Sequence, residues 1–134
     1  MKNLKKIFAG LFLLTACMFI SQNAFAQKPA GKPWPAPASA ASKKMPSSAK
    51  AADGKDLYAQ HCKSCHGAKG KGDGSKAEKI DISCNDFSSA TFQGQTDGEI
   101  FWKTTEGRKP MPSYKEKMSD AERWAVVAYL RTLK

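Results

Sequence analysis

No acidic side chain occurs in the first 52 residues of this 134-residue chain; all 12 lie from Asp53 to Glu122. That absence accounts for most of the formal charge of +10, because residues 1–52 carry eight lysines while residues 53–134 set 14 basic groups against 12 acids. The surplus of +2 left in the second part is too small for the basic stripe that nucleic-acid phosphates require, so no nucleic-acid partner is expected. The chain also lacks an apolar run of the ~20 residues that a bilayer-spanning helix needs, the stretch from Ile7 to Ile20 falling short. Nothing after residue 52 alternates apolar and polar side chains convincingly, which argues against a sheet. With two histidines and four cysteines, the chain has no second ligand pair at zinc-finger spacing. A thioredoxin-like dithiol at Cys62 and Cys65 lacks its βαβ pattern.

What is present divides the chain into three. Lys2, Lys5 and Lys6 precede the apolar run, and Ala24-Phe25-Ala26 follows it, so residues 1–26 read as a signal peptide cleaved after Ala26. The protein is therefore expected to be exported to the periplasm. Leu14-Thr15-Ala16-Cys17 resembles a lipobox, but apolar residues continue to Ile20 and the downstream site is good, which favours ordinary cleavage. A membrane tether stays open through an uncleaved signal or a lipidated Cys17. Residues 27–52, rich in Pro, Ala, Ser and Lys and without periodicity, read as a disordered or semi-extended linker. Trp34 stands there between two prolines, as an exposed ring or a weak docking point. Residues 53–134 are long enough for one small domain.

Within that domain, Leu57, Tyr58 and His61 recur at helical spacing, which predicts a helix that starts at Ala52 or Asp53 and runs to Cys62. Gly67, Gly70, Gly72 and Gly74 then break regular structure, predicting a loop over 67–86. No apolar strand precedes these glycines and no helix opens after them, so they do not form a phosphate-binding loop. Thr96-Asp97-Gly98-Glu99 has capping-box spacing and introduces a short helix ending by Gly107. Ser119-Asp120-Ala121-Glu122 repeats the signal before the longest apolar pattern, predicting a helix from Asp120 to Leu133.

The chemistry is concentrated in Cys62-Lys63-Ser64-Cys65-His66. Two thiols three positions apart can add to the two vinyl groups of a porphyrin, and the following histidine is carried under the iron as an axial ligand. The expected cofactor is one covalent haem c. Between Gly107 and Ser119, Met111 is fenced by Pro110 and Pro112, which block helix formation and stiffen the loop. Such a loop can hold a thioether toward iron, whereas most methionines simply fill gaps in a core. Met118 precedes the last helix at an apolar position suited to packing, and Met45 lies in the linker. His61 adjoins Cys62 and reads as an ordinary helix side chain, and Cys84 as a small buried one.

With these motifs in place, residues 53–134 resemble class I (monohaem) cytochromes c, especially the small bacterial type found as a domain in the third subunit of cbb-type oxidases. The resemblance rests on Asp53 to Tyr58, Gly72 to Gly74, Met111-Pro112, Ser119 to Glu122 and Val126 to Leu130. It implies an all-α fold in which N- and C-terminal helices cross through Gly54, Tyr58, Val126 and Tyr129, with short helices and loops around one haem. It also implies cofactor binding by Cys62, Cys65, His66 and Met111, iron ligation by His66 and Met111, and electron transfer in an extracytoplasmic respiratory chain rather than catalysis. Redox proteins would dock at a haem edge that Lys63, Lys69, Lys71 and Lys109 could ring. A five-coordinate haem that binds gas or peroxide is the alternative. One departure stands out: residues 67–85 contain no proline to supply the carbonyl that, in the family, receives the axial histidine's proton.

Overall fold

The computed structural model describes Lys28 and residues 34–134. The signal expected over 1–26, with Cys17, lies outside the described residues. Those described form helices α1 (Ala38–Ala41), α2 (Ala51–His61), α3 (Lys63–His66), α4 (Ala90–Gln93), α5 (Asp97–Glu106) and α6 (Asp120–Leu130), with a 3-10 turn at Ala77–Lys79. They contain no strand, only an isolated bridge between Arg108 and Met111. None of their helices is long and apolar enough to cross a membrane.

Two helices start where their caps dictate. Thr96 accepts from the Glu99 amide while the Glu99 carboxylate accepts from the Thr96 amide, and Ser119 and Glu122 repeat the arrangement at α6. Acidic residues in each first turn face the positive end of the helix dipole. At its other end α6 stops at Leu130, short of the expected Leu133, and the chain closes in a turn. Helix α2 begins at Ala51, one or two residues before the expected start at Ala52 or Asp53, and its N-cap Lys50 offers no side-chain hydrogen bond.

The core lies where α2 crosses α6. Gly54 makes the crossing close, because a Cβ there would lie 1.9 Å from the Ala125 carbonyl oxygen and 3.0 Å from Tyr129 Cβ. Tyr58 fills the space beside it, its ring 5.2 Å from that of Tyr129, and donates a 2.6 Å hydrogen bond to the Gly67 carbonyl. Val126 and Val127 are fully enclosed, and Phe101 stacks on Trp124 at 4.1 Å. Buried Arg123 satisfies main-chain carbonyls of Tyr114, Lys115 and Met118, which fastens the turn before α6 onto that helix.

Residues 34–50 depart from the expected linker. Ala40 is buried, Met45 and Ala49 pack against the core cluster, and α1 rests on α5. The composition suggested too little apolar surface to offset ordering. A few small side chains suffice because Gly98 lets the α1 backbone come close to α5.

Candidate haem site

Helices α2 and α3 meet at Cys62, which ends the first and caps the second. The short turn of α3 presents Cys65 and His66, and stops at Gly67, whose φ of 81° suits glycine. Main-chain bonds then fold the glycine-rich loop back on this turn: Gly72 donates to the His66 carbonyl at 2.9 Å and Gly74 to the Cys65 carbonyl at 3.1 Å. The expected loop over 67–86 is thus irregular apart from Ala77–Lys79, and it is pinned to the site it follows.

A cavity of about 490 Å³ opens beside this turn, and Cys62, Cys65, His66 and Met111 all line it. The structure therefore brings together the four residues that the sequence separates by up to 49 positions. Burial pushes the Cys62 thiol up to about 12, with the neighbouring Cys65 adding to the rise. Burial likewise lowers the pKa of His66, which keeps its imidazole neutral and its lone pair available to a metal. The imidazole stacks on Phe87 at 4.4 Å, and Phe87 is itself tied by a 2.7 Å bond from its amide to the Gly70 carbonyl. Nδ1 of His66 is buried without a hydrogen-bond partner among the described residues. The Asn85 backbone offsets part of the effect of burial on the imidazole.

The Met111 loop is built as the two prolines imply, and more firmly. Arg108 and Met111 exchange main-chain hydrogen bonds of 2.9 and 2.8 Å. Ser113 Oγ donates to the Thr105 carbonyl at 2.7 Å, and the Tyr114 hydroxyl donates to the His61 carbonyl at 2.7 Å, joining the loop to α5 and α2. Burial pushes the Tyr114 hydroxyl up to about 12, so it remains a donor throughout the physiological range. Met118 is buried in the core and does not line the cavity. His61 and half-buried Cys84 do line it, beyond the packing roles expected of them.

At the loop's side of the cavity stand Lys103 and Arg108, with Trp34 and Gln95. Burial lowers the pKa of Lys103; the Glu99 carboxylate offsets part of the drop and the Arg108 charge adds to it. Among the charged side chains that line the cavity, two cations stand against the single carboxylate of Asp86, a balance that favours an anionic group there. A haem carries thiol-reactive vinyls, an iron and carboxylates, and this donor set of two thiols, a half-buried imidazole, a thioether and two cations fits all three. Sequence reasoning missed Trp34, Lys103, Arg108 and Tyr114. Only tertiary contact distinguishes them from surface residues.

A family model described as cytochrome C oxidase, cbb3-type, subunit III matches residues 49–130, more than half of the chain. The chain belongs to this cytochrome c family. The solved KustC0563 c-type cytochrome is 34% identical, with a TM-score of 0.54 and a match covering 61% of this chain and 98% of that one. The Kuenenia stuttgartiensis reducing HAO-like protein complex Kustc0457/Kustc0458 is 28% identical, with a TM-score of 0.59 over 77% of this chain. The chain spans about half of that neighbour, 51% of its length. No curated protein matches. The cytochrome is thus a monohaem, class I-like protein with an all-α fold and a covalent haem c, and the family supports electron transfer through that haem.

Proposed function

We propose that this cytochrome carries single electrons between redox proteins of an extracytoplasmic respiratory chain, with Cys62 and Cys65 as thioether links and His66 and Met111 as axial ligands. The observation that carries the reading is the convergence of these four side chains on one cavity, whose methionine sits in a loop braced from α2 and α5. When bound, the haem supplies a one-electron couple. The chain favours the neutral form of His66, stacks its ring on Phe87, and places Met111 at the cavity from a stiff loop. With both axial positions filled by protein, no iron position is left for a substrate, which favours a carrier over an enzyme. Exposed Lys63, Lys69 and Lys109 suit weak docking with an acidic partner, while Lys71 is partly engaged by Asp86 at 3.4 Å and by Ser88. Export to the periplasm, with attachment through an uncleaved signal or Cys17, completes the proposal.

The test is a redox titration with ligand-binding spectra on the holoprotein. Thioether ligation favours reduced iron relative to imidazole, so Met111→His should lower the potential by on the order of 0.1 V, a fraction of the ~0.8 V that axial ligation spans. Met111→Ala should bind carbon monoxide and cyanide and lose the far-red band of thioether-ligated ferric haem. Met118→Ala, altered in the core alone, should do neither. If Met111→Ala kept the parent's potential and refused both ligands, the axial assignment would be wrong.

A further inference from the structure

The segment ahead of α2 reaches the cavity in a way that the haem motif does not require. Half-buried Trp34 lines the cavity with Met111, Pro110 and Arg108. Its ring centroid lies 5.7 Å from that of Trp102 on α5, and the Arg108 guanidinium carbon sits 4.9 Å from it. Arg108 is in turn the main-chain partner of Met111, through the bonds of 2.9 and 2.8 Å. The tryptophan is anchored independently of the cavity, because α1 begins four residues after it and packs on α5. A Cβ at Gly98 would lie 2.0 Å from the Ala40 carbonyl oxygen and 2.8 Å from that of Lys43. These residues precede the portion that the family model matches.

We propose that residues 34–50 are a strap that keeps the Met111 loop closed, with Trp34 as a positioning residue that clamps Arg108 and thereby holds the thioether in place. The proposal rests on Met111 as axial ligand. An aromatic face on the guanidinium adds attraction and removes water from the side of the loop. A loop held in this way opens rarely. An exogenous ligand binds only to the open fraction, so its apparent affinity reports how firmly the strap holds.

The experiment titrates imidazole into the ferric full-length holoprotein and its variants. Trp34→Ala should raise the apparent imidazole affinity about tenfold, the size expected from losing one aromatic and one cation contact. Trp34→Phe, which keeps a ring, should stay near the parent. Gly98→Ala adds a methyl group outside the cavity but displaces α1, and should reproduce the Trp34→Ala gain. Leu130→Ala, which removes a buried core side chain at the C-terminal end of α6 and lines no part of the cavity, should leave imidazole affinity unchanged and so separates clamping from general loss of stability. Parent-like affinity in Trp34→Ala, or an equal gain in Leu130→Ala, would overturn the clamp. A gain in Trp34→Ala but none in Gly98→Ala would overturn the anchoring through α1. Failure of the underlying ligation is distinguishable, since the parent itself would then lack the far-red ferric band.

Discussion

Gly54 shows how much a single hydrogen in place of a methyl group decides. The α2–α6 crossing puts the Ala125 carbonyl where a side chain would begin, 1.9 Å from an ideal Cβ. Alanine at this position would gain about 1 kcal/mol of intrinsic helix preference. The clash is with backbone, which cannot rotate aside, so the helices must separate and lose packing around Tyr58. Gly54→Ala should therefore destabilise the holoprotein by roughly 3 kcal/mol, the upper range for overpacking. Chemical denaturation of parent and variant measures this, and equal midpoints would contradict the close crossing. The four residues proposed to hold the haem, which line one cavity, were legible at the same scale, because each has a chemical task suggested by residue type and spacing. Lys103 and Arg108 were not, since lysine and arginine read as solvated charge until a cavity wall is built around them.

Among elements, the capping boxes were the clearest signals in the chain, because a local hydrogen-bond pattern needs no tertiary partner. Ser119→Ala removes the acceptor for the Glu122 amide and should cost about 1 kcal/mol in thermal or denaturant unfolding. The Glu122 carboxylate, accepting from the Ser119 amide and hydroxyl, has its pKa held below the usual value by those bonds. Its depressed pKa means that the stabilisation is present above the ordinary value of 4.5 and fades as pH falls through the folded-state value. Melting curves of parent and Glu122→Gln should therefore converge as pH drops below about 4.5, where the parent loses its advantage. A constant gap across that range would show that the charge is not the source. Helix α2, by contrast, started earlier than its acidic residues implied.

For the whole molecule, the N-terminal segment is part of the folded body from at least Trp34 onward. A chain beginning at residue 49 would lose Ala40, Met45 and the contact between Trp34 and Trp102. Lost apolar burial of about 1–2 kcal/mol should lower its Tm by roughly 5–10 °C relative to a chain beginning at residue 34. Thermal unfolding followed at the haem band checks this, and identical transitions would return the segment to the role of a spacer.

The all-α class, the two capped helices, the haem motif and the proline-fenced methionine were readable from the chain alone, because each depends on chemistry or spacing within a few residues. Only three-dimensional packing revealed that residues 34–50 dock and that Trp34, Lys103 and Arg108 line the same cavity as Met111. Composition describes how much apolar surface a segment has. Whether that surface is buried depends on the shape of what it meets, and here a glycine on α5 provided the fit.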